Sequence, residues 1–214
     1  MERPQTLGEE IANSLSHGIG LLLAIASLPI LVQHAASNGG ADDVVGASVF
    51  AGTAILLYLV STVYHALPAG AAKSWFKRLD HAVIYVFIAG SYMPFLFGVL
   101  SGAWGWTMFG LLWIAAVLGV VAKLLNRLNH GLWSTGLYVA MGWMALVAAV
   151  PLFERMSTSG IAWLVAGGVS YTAGAVVYLF DSKLRYAHFV WHLFVLGGST
   201  CHFFAALWHA GAMS

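Results

Sequence analysis

Residues 44–66 read VVGASVFAGTAILLYLVSTVYHA, a run without a single Asp, Glu, Lys or Arg. A helix needs about 20 mainly apolar residues to cross the hydrocarbon core of a bilayer, because each residue adds about 1.5 Å. This run meets that requirement, and it is therefore predicted to be a membrane-spanning helix.

The rest of the chain has the same character. Hydrophobic residues make up 60% of the 214 residues and charged residues only 8%, and the mean hydropathy is +0.84. A soluble domain carries about 25% charged residues, so the outer surface of this protein must face lipid. Seven stretches are long enough to cross, namely 16–34, 44–66, 81–100, 104–125, 133–151, 161–180 and 188–209. The sequence predicts an all-α fold, a seven-transmembrane helical bundle that forms a single membrane domain over residues 1–214.

The positive charges orient the predicted bundle. Eight of the nine Lys and Arg residues fall in the N-terminal segment or in the loops after the second, fourth and sixth spans, and Arg155 alone lies at the other end. Cytoplasmic loops carry the excess of Lys and Arg in membrane proteins. We therefore expect the N-terminus in the cytoplasm and the C-terminus outside.

Charge and cysteine content exclude several classes of function. The net charge is +1, which does not favour a nucleic-acid partner. Cys201 is the only cysteine, so an intramolecular disulfide and a Cys-based metal cage are both excluded. The first residues contain Glu9 and Glu10 rather than a basic segment, and we expect no removable signal peptide.

Polar residues gather at one predicted end of the bundle. His188 and His192 are four residues apart at the start of span seven, and His65 closes span two with Ser61 one helical turn before it. Asp80 opens span three. Because span two runs inward and spans three and seven run outward, the predicted topology places all five residues on the cytoplasmic side.

Three imidazoles are a suitable ligand set for Zn²⁺, with water in the fourth position. Asp80 and Ser61 could hold that water, and the combination suits hydrolysis of an amide or ester. Each residue also has a simpler interpretation: the HxxxH pair can arise by chance, His65 can extend into the headgroups, and Asp80 can pair with Arg78 or Lys77. Independent interfacial residues have no reason to share one leaflet and one helix face, which favours the metal site.

The remaining histidines are assigned other roles. His202 is ten residues beyond His192, about 15 Å along the helix, and cannot join the same metal. His81 points about 100° away from Asp80 and is interpreted as an interface residue. Glu10, Asn13 and His17 share one face of the first helix and either pack against the site or are solvated. We expect the histidines at positions 34, 130 and 209 to be solvated at the membrane interfaces.

The motifs EIANSLSHG at 10–18, STVYH at 61–65, LDH at 79–81 and HFVWH at 188–192 resemble the hemolysin III family. That family is the bacterial branch of the progestin and adiponectin receptor group, whose seven-helix members are similar to the alkaline ceramidases. The resemblance covers nearly the whole chain and implies a bacterial cytoplasmic membrane protein. It implies His65, His188 and His192 as zinc ligands, Asp80 as the residue that holds or deprotonates the bound water, and Ser61 as its neighbour. A recurring histidine of the group corresponds to His202.

Two functions remain open at this stage. The protein is either a zinc-dependent hydrolase with a membrane lipid as substrate, or a non-enzymatic zinc-binding protein that senses membrane state or permeabilises membranes as a hemolysin. A conducting pore needs a polar stripe along a whole span, whereas the polar residues here gather at one end. The sequence indicates no protein partner and leaves the oligomeric state open.

Overall fold

The computed structural model describes residues 3–100, 102–128 and 131–210, and this part of the chain is helical without any strand. The helices are α1 (Leu7–Asn38), α2 (Ala41–Ala66), α3 (Ala71–Gly98), α4 (Gly102–Leu124), α5 (Gly131–Gly142), a 3-10 segment (Trp143–Ala148), α6 (Ala149–Arg155), α7 (Thr158–Tyr178) and α8 (Ala187–His209). Seven helical segments are long and apolar enough to cross a membrane, with α5, the 3-10 segment and α6 forming the fifth. The predicted all-α fold with seven spans is confirmed.

The helices extend beyond the predicted spans into polar sequence. The first helix begins at Leu7 rather than at residue 16, and the third at Ala71 rather than at residue 81. Thr6 caps α1: its side-chain oxygen accepts from the Glu9 backbone N–H at 3.4 Å, and the Glu9 carboxylate accepts from the Thr6 backbone N–H at 2.9 Å. Such a reciprocal cap satisfies the free N–H groups of the first turn. The length of an apolar run therefore underestimates the length of a helix that continues beyond the hydrocarbon core.

The uncharged turn between spans three and four separates two helices, as predicted. Helix α3 ends at Gly98, and α4 begins at Gly102, which has a positive φ of 71°. Glycine adopts this left-handed conformation without the steric penalty of a Cβ. Arg155 donates to the carbonyl oxygens of Val99 and Leu100, each at 3.3 Å, and so satisfies groups that a helix end leaves free.

The fifth span is irregular in its middle. Pro151 has no backbone N–H, so the carbonyl four residues earlier loses its helical donor. The Tyr92 hydroxyl from α3 compensates part of the distortion: it donates to the Gly142 carbonyl at 2.5 Å and accepts from the Ala145 N–H at 3.1 Å. The predicted fifth span is therefore not one regular helix, because the 3-10 segment interrupts it.

Helix α3 lies at the centre of the bundle. The apolar part of α3 is 67% buried, whereas that of α4 and of each later span is 22% buried. Helices α1, α2 and α3 pack in sequence, and α8 contacts both α7 and α1. The first and last helices therefore meet, and the side chains on their facing surfaces and at the ends of α2 and α3 lie close together.

Candidate metal centre

Three histidines converge at one end of the bundle. His65 comes from the last turn of α2, and His188 and His192 from the first two turns of α8. One ring nitrogen of each lies within 4.8 Å of those of the other two. Their exposed fractions are 3%, 6% and 0%. These residues could hold one metal ion.

Each ring is fixed through its Nδ1 atom. His65 Nδ1 lies 2.7 Å from a Glu10 carboxylate oxygen, and His188 Nδ1 lies 3.1 Å from an Asp181 carboxylate oxygen. His192 Nδ1 lies 3.0 Å from the Ser16 hydroxyl and 3.3 Å from the Asn13 carbonyl oxygen. Carboxylate and carbonyl oxygens accept hydrogen bonds, so these contacts favour the tautomer with the proton on Nδ1.

The Nε2 atoms of the three histidines are buried and have no hydrogen-bond partner within the described residues. With the proton on Nδ1, each Nε2 offers a lone pair. Histidines that bind metals almost always donate their other ring N–H to a carboxylate, a carbonyl or water. The donor set, the tautomer and the second layer of hydrogen bonds therefore all fit a metal ion.

Asp80 and Ser61 border the three histidines. They are only 2% and 1% exposed, so Asp80 is no exposed interfacial carboxylate. The Asp80 carboxylate interacts electrostatically with His188, the Ser61 hydroxyl and Lys77. The Ser61 hydroxyl makes no hydrogen bond of standard geometry, and Oδ2 of Asp80 has no partner in the described part of the chain. A buried oxygen acceptor therefore lies beside the cluster.

The polar face of α1 packs against the site. Besides Glu10 and Ser16, Asn13 approaches it: its side-chain nitrogen lies 3.5 Å from His65 Nδ1 and 2.6 Å from the Gln5 side-chain oxygen. Glu10 also pairs with Lys73 at 2.9 Å. Of the two interpretations of this face, packing against the site is the one observed.

The other histidines lie outside the cluster. The Nδ1 atom of His202 lies 3.0 Å from the Gly198 carbonyl oxygen, which agrees with its predicted exclusion from the metal. His81 is half-buried with its ring 3.2 Å from the Tyr178 hydroxyl, and it is not among the side chains that could share the metal ion, as predicted. His34 is exposed, as predicted. His209 is half-buried 2.8 Å from Ser157. The prediction for His130 concerns a residue outside the described ranges.

Sequence reasoning missed two partners of the histidines, Asp181 and Ser16. Asp181 lies in the loop between α7 and α8, seven residues before His188, and helical spacing does not apply to a residue outside a helix. Ser16 belongs to the motif at 10–18, but nothing in that motif indicates which α8 residue it meets. The Ser16 contact depends on the packing of α1 on α8, and the Asp181 contact depends on the path of the loop before α8.

A cavity of about 220 Å³ connects this site with the other end of the bundle. At the metal-centre end it is lined by Asp80, His81 and His17, and at the far end by Leu100 and Ile161. Most of the side chains between them are apolar and come from α3, the fifth span, α7 and α8. The cavity can therefore hold an apolar chain beside the buried carboxylate.

Comparison with known proteins adds the family. A model of the family described as Haemolysin-III related matches residues 5–203. The chain belongs to this family. Among its relatives, Hemolysin-3 of Bacillus cereus is 42% identical, over 96% of this chain and 93% of the relative. The Hemolysin-3 homolog of Bacillus subtilis (strain 168) is 41% identical, over 95% of both chains. The Monocyte to macrophage differentiation factor of Homo sapiens is 28% identical, over 94% of this chain and 84% of the relative.

The predicted resemblance to the hemolysin III family is thus confirmed. No solved structure matches the chain significantly. In this Haemolysin-III related protein, the matched range contains the three clustered histidines, Asp80, Ser61 and the polar face of α1. The family match therefore covers every residue from which the candidate metal centre is built.

Proposed function

We propose that this protein is a zinc-dependent hydrolase that cleaves an amide or ester bond of a membrane lipid. The observation that carries the proposal is the buried histidine cluster with its three unpartnered Nε2 atoms, beside the unpartnered oxygen of Asp80 and at the end of an apolar cavity. Structural zinc sites usually use four protein ligands, whereas catalytic sites use three. Three imidazoles without a fourth protein ligand therefore favour the catalytic class.

Each residue has a role in this proposal. His65, His188 and His192 would hold the zinc ion, which supplies Lewis-acid activation of water and of the scissile carbonyl. Asp80 Oδ2 accepts the proton that the attacking water loses, because it is the unpartnered carboxylate oxygen beside the histidines. The Ser61 hydroxyl, which is buried beside Asp80 and lacks a partner in the described structure, would help to hold the same water.

The cavity supports a lipid as the substrate. A ligand site that is mostly apolar with a few convergent polar groups is typical of small-molecule binding. An acyl chain would lie against the apolar side chains towards Leu100, with its carbonyl next to Asp80. The apolar walls exclude bulk water from the chain, so only the polar end of the lipid meets the reacting groups.

We also propose a location in the bacterial cytoplasmic membrane, with the N-terminus and metal centre on the cytoplasmic side and the C-terminus outside. The distribution of Lys and Arg supports this orientation. The Hemolysin-3 relatives from two Bacillus species support a bacterial protein.

Metal content is the first test. Elemental analysis of the purified wild type is expected to find about one zinc per chain, and His188→Ala or His192→Ala is expected to lose it. His34→Ala is the matched control, because His34 is an exposed histidine of α1 that is hydrogen-bonded only to Asn38 beyond its own helical turn in the described structure. Equal zinc content in all four proteins would refute the metal assignment.

Activity is the second test. The wild type and Asp80→Asn are compared on a panel of ceramide-like and other acyl lipids. The variant is expected to keep its zinc and to lose about 10²-fold to 10⁴-fold in kcat, the usual contribution of a general base. If both proteins hydrolyse every lipid at the same slow rate, the protein is not this hydrolase.

The names of the Bacillus relatives favour a second candidate, a hemolysin that permeabilises membranes. The polar groups around His65 lie at one end of the bundle, whereas a pore needs a polar path along its whole length. Dye release from protein-free vesicles tests this candidate directly. Leakage that rises with protein concentration supports it, and leakage that is absent at every protein-to-lipid ratio rejects it.

A further inference from the structure

His202 is a polar side chain of the cavity that the proposed hydrolysis does not use. It shares one face of α8 with Trp191 and Val195, and all three residues line the cavity. It follows His192 by ten residues, which is about 15 Å along the helix. The cavity therefore contains a second polar group, well separated from the metal centre.

The structure fixes the His202 ring and leaves one of its nitrogens open. Nδ1 lies 3.0 Å from the Gly198 carbonyl oxygen, which accepts its proton, so Nε2 carries a lone pair. The ring packs on Gly167 of α7, where a Cβ would collide with Nδ1, and on the Tyr171 ring, 5.3 Å away between centroids. Unlike the Nε2 atoms of the three clustered histidines, Nε2 of His202 is not enclosed by protein atoms. A side chain that lines the cavity thus has an accessible acceptor nitrogen.

This acceptor needs a donor, because an unpaired polar atom in apolar surroundings is unfavourable. Water is a poor candidate, since a buried water needs two to four polar partners. The neighbouring hydroxyl groups of the cavity wall are already engaged: Ser91 and Thr172 donate to carbonyl oxygens of their own helices, and Tyr171 is hydrogen-bonded to a serine of α8. A hydroxyl carried by an apolar chain needs only the one acceptor, because the chain itself contacts the apolar walls.

We propose that His202 forms a second polar subsite, which binds a hydroxyl group on the acyl chain of the lipid. The hydroxyl donates to Nε2 of His202. The separation of about 15 Å from His192 is roughly the length of twelve carbons of an extended chain, so the preferred lipid carries its hydroxyl near the twelfth carbon. This inference rests on the proposed function for the position of the lipid carbonyl, but it concerns recognition of the chain and not the reaction.

The test measures binding separately from turnover, with the protein in lipid nanodiscs. The probes are the N-ethyl amides of octadecanoic acid and of its derivatives with a hydroxyl on the twelfth or on the third carbon. The wild type is expected to prefer the twelfth-carbon hydroxyl to the unsubstituted chain by about threefold to tenfold, the usual contribution of one hydrogen bond. Equal affinity for these two amides would overturn the proposal.

Substitutions of His202 test whether the preference comes from Nε2. His202→Phe keeps a ring at this position, but the hydroxyl is then buried without an acceptor, and the order of the two affinities is expected to reverse. His202→Gln supplies a new acceptor and is expected to recover part of the preference. The third-carbon hydroxyl would lie near the metal centre, so its effect on affinity is expected to be the same in the wild type and in His202→Phe. Equal changes for both hydroxyl positions would overturn the proposal, because His202 would then act on the shape of the cavity.

Thr200→Ala is the matched control on α8. Thr200 is exposed on the outer face of the helix, and its hydroxyl donates to the Leu196 carbonyl oxygen at 2.8 Å, so this variant is expected to keep the preference. All variants are expected to hold as much zinc as the wild type, and loss of zinc in His202→Phe would overturn the proposal, because the ring would then support the metal centre. A preference that depends on His202 in a protein that hydrolyses none of the amides would uphold the subsite and reject the hydrolase. Hydrolysis without any such preference would do the reverse.

Discussion

The contact between Glu10 and His65 offers the sharpest test of the metal centre. Its atoms are 2.7 Å apart, and the His65 side chain is fully buried while that of Glu10 is 18% exposed. In Glu10→Gln the side chain keeps its size and loses its charge. His65 then loses the carboxylate that holds its Nδ1 proton and orients Nε2 towards the other two ligands.

The size of the effect follows from the geometry. Removing such an outer hydrogen bond lowers metal affinity about 10-fold to 100-fold, or about 1.4 to 2.8 kcal/mol. The Glu10 contact is short and well buried, so we expect Glu10→Gln in the upper half of that range. The Asp181 contact with His188 is longer, at 3.1 Å, and the Asp181 side chain is 26% exposed. We therefore expect Asp181→Asn to lower zinc affinity by about 10-fold, the lower limit of that range.

Zinc affinity of the purified proteins is measured by competition with a chelator of known affinity. Glu154→Gln is the matched control, because Glu154 is an exposed glutamate at the other end of the bundle and should leave the affinity unchanged. The reasoning is refuted if Glu10→Gln binds zinc as tightly as this control. A larger loss in Asp181→Asn than in Glu10→Gln would refute the ranking by distance and burial.

Three further predictions concern stability, measured as thermal unfolding in detergent. Gly46→Ala is expected to cost about 1 to 3 kcal/mol, because its Cβ would lie 2.9 Å from the backbone oxygen of Met93, whereas Gly52→Ala, with open space around it, should be neutral or slightly stabilising. Tyr92→Phe is expected to lower the free energy of unfolding by about 1 to 3 kcal/mol and to speed hydrogen exchange in the 3-10 segment. The reason is that the Tyr92 hydroxyl is hydrogen-bonded to the Gly142 carbonyl, just before that segment, and to the Ala145 N–H within it. Glu9→Gln is expected to cost a similar amount, because its 3%-exposed carboxylate binds the Arg3 guanidinium.

Each of these predictions has a contradicting result. Equal unfolding temperatures for Gly46→Ala and Gly52→Ala would show that α2 and α3 do not approach closely at Met93. Unchanged exchange after Tyr92→Phe would show that the 3-10 segment is held by other contacts. Glu9→Gln with wild-type stability would mean that solvent replaces the contacts of the carboxylate.

The seven spans were predictable because apolar length and charge are local properties of the chain. The helix ends were not predictable from hydropathy. Capping by Thr6 and Glu9 extends α1 through a polar stretch that a hydropathy criterion leaves out of the span. The break in the fifth span had one local signal, Pro151. Its stabilisation by Tyr92 is a tertiary contact between residues about 50 positions apart, and no periodicity in either helix indicates it.

The three histidines were predictable for a different reason. The spacing of His188 and His192 places them on one face of a helix, and the distribution of Lys and Arg brings the end of α2 to the start of α8. The partners of their Nδ1 atoms were only partly predictable. Glu10 lies on a recognisable polar face of α1, whereas Asp181 lies in a loop whose path depends on the packing of the finished bundle.

The site also depends on how the two ends of the chain are joined. Glu9 at the start of α1 accepts from the Tyr186 backbone N–H at 2.8 Å, and Tyr186 directly precedes α8, where it adopts a left-handed φ of 60°. Two of the three candidate ligands follow within the next six residues, His188 and His192. The contact with Glu9 therefore sets the position at which α8 begins and, through it, the height of both imidazoles relative to His65. Because binding energy at a site built by folding is also folding energy, a metal held there would stabilise the closure of α8 on α1. The stability of the contact between α8 and α1 and the metal affinity of the site are therefore thermodynamically linked.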